Sequence, residues 1–83
     1  MRVRVKFFAA YRDIVGESVV TWSGSAGATL GDLLNDLLQR HPSLESHRET
    51  MLLAVNQEFA KPSARLRDGD VVAIMPPVSG GLR

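Results

Sequence analysis

The clearest structural signal in this chain is the segment Thr29-Leu30-Gly31-Asp32-Leu33-Leu34-Asn35-Asp36-Leu37-Leu38. Its leucines recur at the spacing of three and four residues that places side chains on one face of an α-helix. Thr29 predicts the N-cap, and Pro42 disfavours helical geometry at the residue before it. We therefore predict a helix that ends near Arg40-His41 and packs its leucines against a sheet.

The residues before this helix predict a β-hairpin. Residues 2–8 alternate, which is typical of a half-buried strand. One face carries Val3, Val5 and Phe7, and the other carries Arg2, Arg4, Lys6 and Phe8. We interpret the basic face as a solvated strand face, with contact to an acidic partner as the alternative. Residues 9–15 predict one or two helical turns ended by Gly16, and residues 18–22 predict a second strand.

The residues after the helix predict three further strands. Residues 51–55 form a mostly apolar run closed by Asn56-Gln57, and Phe59 could start a short edge strand before Pro62. Residues 71–75 are continuously apolar, which suits a central strand covered on both faces or partly covered by a partner. In this order the first and last strands can pair in the middle of a mixed sheet, with the helix across one face. We predict an α+β fold.

Composition limits the functions that this chain can perform alone. Its 83 residues predict one small domain, residues 1–75, followed by a tail, residues 76–83. The absence of cysteine excludes a disulfide scaffold, a thiolate metal site and a cysteine nucleophile. A net charge of +1 is too small for a general nucleic-acid binder, and no apolar run approaches the ~20 residues of a membrane span. We expect no nucleic-acid or membrane partner and a cytoplasmic location.

The sequence shows no group of residues that is typical of a catalytic or metal-binding site. No paired carboxylates and no nucleophile–base arrangement can be recognised, so we do not expect an enzyme acting alone. His41 and His47 match no helical pair of metal ligands and have no further ligand cluster beside them, so we predict surface histidines.

The tail combines stiffness with a small tip. Pro76 and Pro77 favour an extended backbone that holds the tail away from the domain. Gly80 and Gly81 have no Cβ, so another backbone or a nucleotide can approach them closely. We predict a tail that enters the active site of a partner; simple fraying of a chain end is the alternative. Because the chain has no cysteine, any sulfur chemistry here must use a group other than a side-chain thiol.

Four segments in order resemble a known family. They are Val5-Lys6-Phe7-Phe8-Ala9 with Arg12 and Val15-Gly16, Leu53-Ala54-Val55-Asn56-Gln57, Leu66-Arg67-Asp68-Gly69-Asp70-Val71-Val72-Ala73, and Pro76-Pro77-Val78-Ser79-Gly80-Gly81. Together they are similar to the small subunit of molybdopterin synthase, a MoaD-type, ubiquitin-like sulfur carrier of the MoaD/ThiS family. Residues 17–50 match in pattern only.

The resemblance implies a β-grasp fold and a function as a sulfur carrier. In the family, an activating enzyme related to ubiquitin E1 uses ATP and magnesium to adenylate the terminal glycine, and sulfur then replaces AMP to give a thiocarboxylate. The tail enters a larger catalytic subunit, within a heterotetramer, which uses that sulfur to build the dithiolene of molybdopterin. No tightly bound cofactor of the small subunit itself is implied.

The resemblance also implies roles for particular residues. Gly81 is the expected reaction site, and Gly80 provides clearance in a narrow channel. Arg12 is a candidate contact to the activating enzyme, with a surface salt bridge as an equally good alternative. The remaining candidates for partner contacts are Ile74, Met75, Pro76, Pro77, Val78 and Ser79.

This chain departs from the family pattern at Leu82-Arg83, which follow the glycine pair. Gly81 is thereby joined to Leu82 through an amide bond and has no carboxylate to activate. We favour two explanations: a protease removes the two residues, or they were added for expression of the protein. We favour these over a copy that has lost carrier activity and kept only its docking surface.

Three other functions stay open at this point. The first is a protein modifier joined to lysines of its targets, and the second is a sulfur carrier for thiamin thiazole or another pathway. The third is a binding module without chemistry. The Phe7-Phe8-Ala9 opening and the Pro76-Pro77-Val78-Ser79 segment favour the molybdopterin branch.

Overall fold

The computed structural model of this chain describes residues 1–77. The elements, in chain order, are β1 (Arg2–Phe7), α1 (Ala9–Val15), β2 (Val19–Ser23), α2 (Leu30–Arg40), a 3₁₀ helix (Pro42–Thr50), β3 (Leu52–Val55), β4 (Glu58–Phe59) and β5 (Val71–Met75). The strands form one mixed sheet in the order β2-β1-β5-β3-β4. β1 runs parallel to β5, and the other neighbouring strands are antiparallel. The α+β fold and the central pairing of first and last strands are confirmed.

The core lies between α2 and one face of the sheet. The alternation of β1 is confirmed, because Val3, Val5 and Phe7 are buried and the residues between them are exposed. All five leucines of the predicted apolar face of α2 are buried in the same cluster. Burial of these side chains supplies most of the driving force for a domain of this size.

The ends of the two α-helices follow from local interactions. The Asp32 amide donates to Thr29 Oγ1 at 3.1 Å, and the Thr29 amide donates to Asp32 Oδ2 at 2.9 Å, which together make a capping box. α2 ends at Arg40, as predicted. α1 ends at Gly16, which takes a left-handed φ of 87° that favours glycine.

His41 and His47 are half-buried, so part of each residue lies on the surface. The His41 ring lies with its edge towards Phe7, at a centroid separation of 6.5 Å, and the His47 ring is tilted against Tyr11 at 5.4 Å. Their surroundings are therefore aromatic, and each packs on a different part of the core.

Within residues 1–77, no helix is long and apolar enough to cross a membrane.

The second face of the sheet is not covered by α2, and we call it the open face. Cross-strand register places the following side chains on it: Val19, Thr21 and Ser23; Arg2, Arg4 and Lys6; Val71, Ala73 and Met75; Leu52 and Ala54; and Phe59. Except for Ala54, these side chains are exposed or half-buried. The open face is the part of the fold that a partner can reach.

Candidate functional site

The tail leaves the domain from the end of the central strand. β5 lies between β1 and β3, and its last residue, Met75, pairs with Leu52. The Phe8 amide donates to the Ile74 carbonyl oxygen at 3.3 Å, which ties the end of β1 to the end of β5. Pro76 is half-buried and Pro77 is exposed. The predicted site residues Val78, Ser79, Gly80 and Gly81, and the following Leu82-Arg83, lie outside the described residues.

One row of the open face has a shallow centre between larger side chains. Lys6, Ala73, Ala54 and Phe59 stand opposite one another across β1, β5, β3 and β4. Because the two central members are alanines, a depression of about 270 Å³ forms there. Its lining consists of Phe8, Ala54, Gln57, Phe59, Ala73 and Met75. The depression lies beside the point where the tail departs.

The turn after β3 places Phe59 on this face. Asn56 and Gln57 have φ values of 51° and 72°, the conformation of a two-residue hairpin turn with both central residues left-handed. Asn56 Nδ2 donates to Asp70 Oδ1 at 2.9 Å, and Asn56 Oδ1 accepts from the Val71 amide at 3.0 Å. These bonds join the turn to the start of β5, so the hairpin and the central strand keep a fixed register.

A sharp change of chain direction presents Phe8. β1 ends at Phe7, and Ala9 has a φ of 53°, in the left-handed region that a residue with Cβ seldom occupies. Such a conformation costs of order 1–3 kcal/mol and persists only where its surroundings hold it. Here it turns the chain into α1 and leaves the Phe8 side chain 42% exposed.

Five apolar side chains form what we call the apolar patch. They are Phe8, Ala54, Phe59, Ala73 and Met75. Phe59 is 77% exposed, the largest exposed fraction among the exposed large hydrophobic residues of the described chain. A cluster of exposed apolar side chains on one face is typical of a surface that binds another protein.

Ile74 and Met75 were both predicted to contact a partner, but they lie on opposite faces of the sheet. Met75 lies on the apolar patch and is half-buried. Ile74 is only 1% exposed and belongs to the core, so its side chain is not available to a partner. The expectation for Ile74 is therefore wrong, because successive residues of a strand point to opposite faces of the sheet.

Arg12 is exposed on α1. Within residues 1–77, the one ion pair is Arg40 with Asp36, at 3.1 Å, so the alternative of a surface salt bridge for Arg12 is not realised in this part of the chain. Its guanidinium stays available to a partner.

The sequence analysis missed Phe8, Phe59 and the two alanines between the strands as members of a surface. Phe8 did carry a signal, since it is the one apolar residue on the basic face of the 2–8 alternation. Phe59 carried a weaker one, as an aromatic residue in a predicted edge strand. Ala54 and Ala73 carried none, because their juxtaposition depends on the register of β3 and β5.

This arrangement places Pro76 and Pro77, with which the tail begins, next to Met75 of the apolar patch. Among the described residues, no group of three or more histidine or carboxylate side chains is placed to hold a metal ion. Comparison with known proteins shows that residues 5–81 match the ThiS family. The chain belongs to the ThiS family. The matched region of this ThiS-family chain starts in β1 and ends at Gly81, so it includes the glycine pair.

Three proteins illustrate the likeness. The molybdopterin synthase sulfur carrier subunit of Chlamydomonas reinhardtii is 41% identical over 83 residues, which cover 98% of this chain and 100% of that protein. The crystal structure of SAMP1 from Haloferax volcanii superposes with a TM-score of 0.86 at 32% identity, over 98% of this chain and 100% of that one. A chain in the complex of subunits 1 and 2 of the molybdopterin-converting factor from Helicobacter pylori superposes with a TM-score of 0.70 at 28% identity, over 98% of this chain and 100% of that one.

Proposed function

We propose that this chain is a sulfur carrier, the small subunit of a molybdopterin synthase, and that Gly81 is the residue that carries sulfur. The family match continues through Gly81, which is the observation that most supports a carrier role. Relatives named as molybdopterin synthase sulfur carrier subunits match nearly the whole chain at 41% and 37% identity. The departure of the tail beside the apolar patch fits a tip that reacts inside a second protein.

The chemistry resides at the end of the chain. A free α-carboxylate at Gly81 is ionised at neutral pH and can attack the α-phosphorus of ATP, with pyrophosphate as the leaving group. Hydrosulfide then attacks the acyl carbon, AMP leaves, and loss of the proton from the thioacid gives a thiocarboxylate. The activating enzyme supplies the ATP, magnesium and charge stabilisation, while this chain supplies the reacting atom. Gly80 gives clearance at the neighbouring position.

Two partners follow from this chemistry. We assign the apolar patch, with Met75 at its edge, to docking of the large catalytic subunit in a heterotetramer, and Arg12 to the E1-like activating enzyme. The complex formed by the Helicobacter pylori relative supports a second subunit as partner. Pro76, Pro77, Val78 and Ser79 span the distance between the sheet and the reacting residue. Because the activation consumes ATP, we place the reaction in the cytoplasm.

The active form in this proposal ends at Gly81. An amide bond between Gly81 and Leu82 leaves no carboxylate for adenylation. The family match stops at Gly81, which supports removal of the last two residues by a protease before activation.

Cofactor rescue tests the carrier role. A chain that ends at Gly81 is expressed in a strain that lacks its own small subunit of molybdopterin synthase, and the activity of a molybdenum enzyme is measured. We expect activity to return, and we expect a Gly81→Leu version of the same chain to restore none, because the bulky side chain obstructs the approach of the tip. No rescue by the chain that ends at Gly81 would contradict the carrier role, and equal rescue by both versions would contradict the requirement for glycine at the tip.

A protein modifier is the second candidate function. Small archaeal modifier protein 3 of Haloferax volcanii is 30% identical over 98% of this chain, so a protein named for modification is similar to nearly the whole chain. The discriminating experiment is a search for lysine-linked conjugates in cell extracts. Conjugates that disappear when Gly80 and Gly81 are deleted would favour the modifier.

A further inference from the structure

Three basic side chains lie in a line on the open face, and we call Arg2, Arg4 and Lys6 the basic stripe. They occupy alternate positions of β1 and are all exposed. Alternate residues of a strand project from the same face about 7 Å apart. The basic stripe therefore places three positive charges within about 14 Å.

The residues that face the basic stripe are neutral. Its cross-strand neighbours are Ser23, Thr21 and Val19 in β2, and Val71 and Ala73 in β5. In the strands that the structure describes, no aspartate or glutamate occupies a position of the open face. No carboxylate of a neighbouring strand therefore stands opposite the stripe, although like charges this close repel one another.

The nearest acidic turn is occupied with other contacts. Asp68 Oδ1 accepts from the backbone amide of Arg2 at 2.7 Å. Asp70 accepts from Asn56 Nδ2 at 2.9 Å and from the Arg67 amide at 2.8 Å. Among residues 1–77, neither carboxylate lies within 4.0 Å of a side-chain nitrogen of the stripe. These aspartates hydrogen-bond the turn, and within residues 1–77 they form no ion pair with a side chain of the stripe.

The strands of the open face carry basic residues although the chain as a whole is nearly neutral. The whole chain has a net charge of only +1, yet the open face carries three basic residues and no acidic strand residue. A surface of one sign attracts a surface of the opposite sign and raises the rate of encounter. The small net charge argues against an unselective attraction to nucleic acid.

We infer that the basic stripe contacts an acidic surface of the large subunit, next to the apolar surface that covers the apolar patch. Lys6 stands directly opposite Ala73, so the stripe and the patch are parts of one continuous surface. The tail leaves at the same end of the sheet, beside Phe8. A single partner that takes the tail and covers the patch therefore also faces the stripe. This inference rests on the proposed function.

The test measures association of the chain that ends at Gly81, the active form in the proposed function, with the large subunit of its own organism at 25 to 500 mM NaCl. The test variant is Arg4→Glu/Lys6→Glu. The matched control is Lys61→Glu/Arg65→Glu, which makes the same charge change at exposed residues in the segment that bonds to the start of α2. We expect the test variant to have an association rate constant about tenfold lower at low salt. We also expect that its rate constant no longer decreases as the NaCl concentration rises. The control should stay within about twofold of the unsubstituted chain.

A neutral variant, Arg4→Gln/Lys6→Gln, separates charge from misfolding. It should keep the thermal transition of the unsubstituted chain while losing most of the salt dependence. An unchanged rate and salt dependence in both stripe variants, with binding by the unsubstituted chain intact, would overturn the inference and leave the carrier function standing. Failure of the unsubstituted chain to bind the large subunit at any salt would contradict both. Stripe-dependent binding of a single-stranded RNA, with unchanged binding of the large subunit, would also overturn the inference.

Discussion

Ala73 of β5 lies directly opposite Ala54 of β3, and this pair of small side chains forms the floor of the apolar patch. The larger side chains of Phe8 and Phe59 stand at its sides. A partner side chain can enter the depression because no bulky group fills it. Each following prediction tests one consequence of this geometry or of the packing that supports it.

Removal of the aromatic side walls should weaken docking without weakening the fold. We expect Phe8→Ala and Phe59→Ala each to raise the Kd for the large subunit about tenfold, since buried aromatic anchors dominate many interfaces. Isothermal titration calorimetry measures the affinity, and thermal unfolding checks the fold. Ile14→Ala is the control, because Ile14 is 38% exposed but lies on α1, outside the patch. An equal loss of affinity in the control would contradict a role specific to the patch.

Two neighbouring residues of β5 should respond in opposite ways. Ile74→Ala removes a side chain that is 1% exposed, so it should lower the free energy of unfolding by about 2–5 kcal/mol. Met75→Ala should change stability little and weaken binding to the large subunit, since Met75 lines the patch. Urea denaturation and calorimetry measure the two effects. A strongly destabilised Met75→Ala with normal affinity would refute the assignment of faces.

That pair also shows what the sequence could not predict. A continuous apolar run such as residues 71–75 has no alternation, so it does not indicate which residues face the core. β1 does alternate, and its inward residues Val3, Val5 and Phe7 were predicted correctly. The parallel register of β1 with β5, which brings Lys6 beside Ala73, is a long-range property that no local pattern contains.

Interactions between residues that are close in sequence explain which other elements could be predicted and which could not. The leucine spacing of α2 and its cap at Thr29 predict the helix well, because both act within a few residues of one another. Residues 42–50 form a 3₁₀ helix, and their side chains show no apolar periodicity from which it could be predicted. Phe59 belongs to a strand of two residues, which is too short to show which face it occupies.

Gly24 should be required for the packing of Trp22. A Cβ at position 24 would lie 2.2 Å from Trp22 Cη2, and the indole cannot withdraw easily because it is buried and its Nε1 donates to Asp36 Oδ2 at 2.7 Å. We expect Gly24→Ala to lower the free energy of unfolding by about 1–3 kcal/mol and to shift the tryptophan fluorescence. Ser25→Ala is the control, as Ser25 is exposed in the same loop. Stability equal to that of the control would show that the loop accommodates the methyl group.

The capping box at the start of α2 should contribute to the stability of the whole domain. Thr29→Ala removes the side-chain acceptor of the Asp32 amide and should cost about 1 kcal/mol. Thr29→Ser retains the hydroxyl and serves as the control in the same denaturation experiment. If both variants lose equal stability, the hydrogen bond is not the source of the effect.

Conversion of the terminal glycine is the most direct test of the carrier function. The chain that ends at Gly81 and the chain of residues 1–83 are each incubated with the activating enzyme, ATP, magnesium and a sulfur source, and intact masses are recorded. We predict that only the chain ending at Gly81 gains the mass expected for exchange of one oxygen for one sulfur. No exchange in that chain would contradict the carrier function, and equal exchange in both chains would contradict the requirement for a free carboxylate at Gly81.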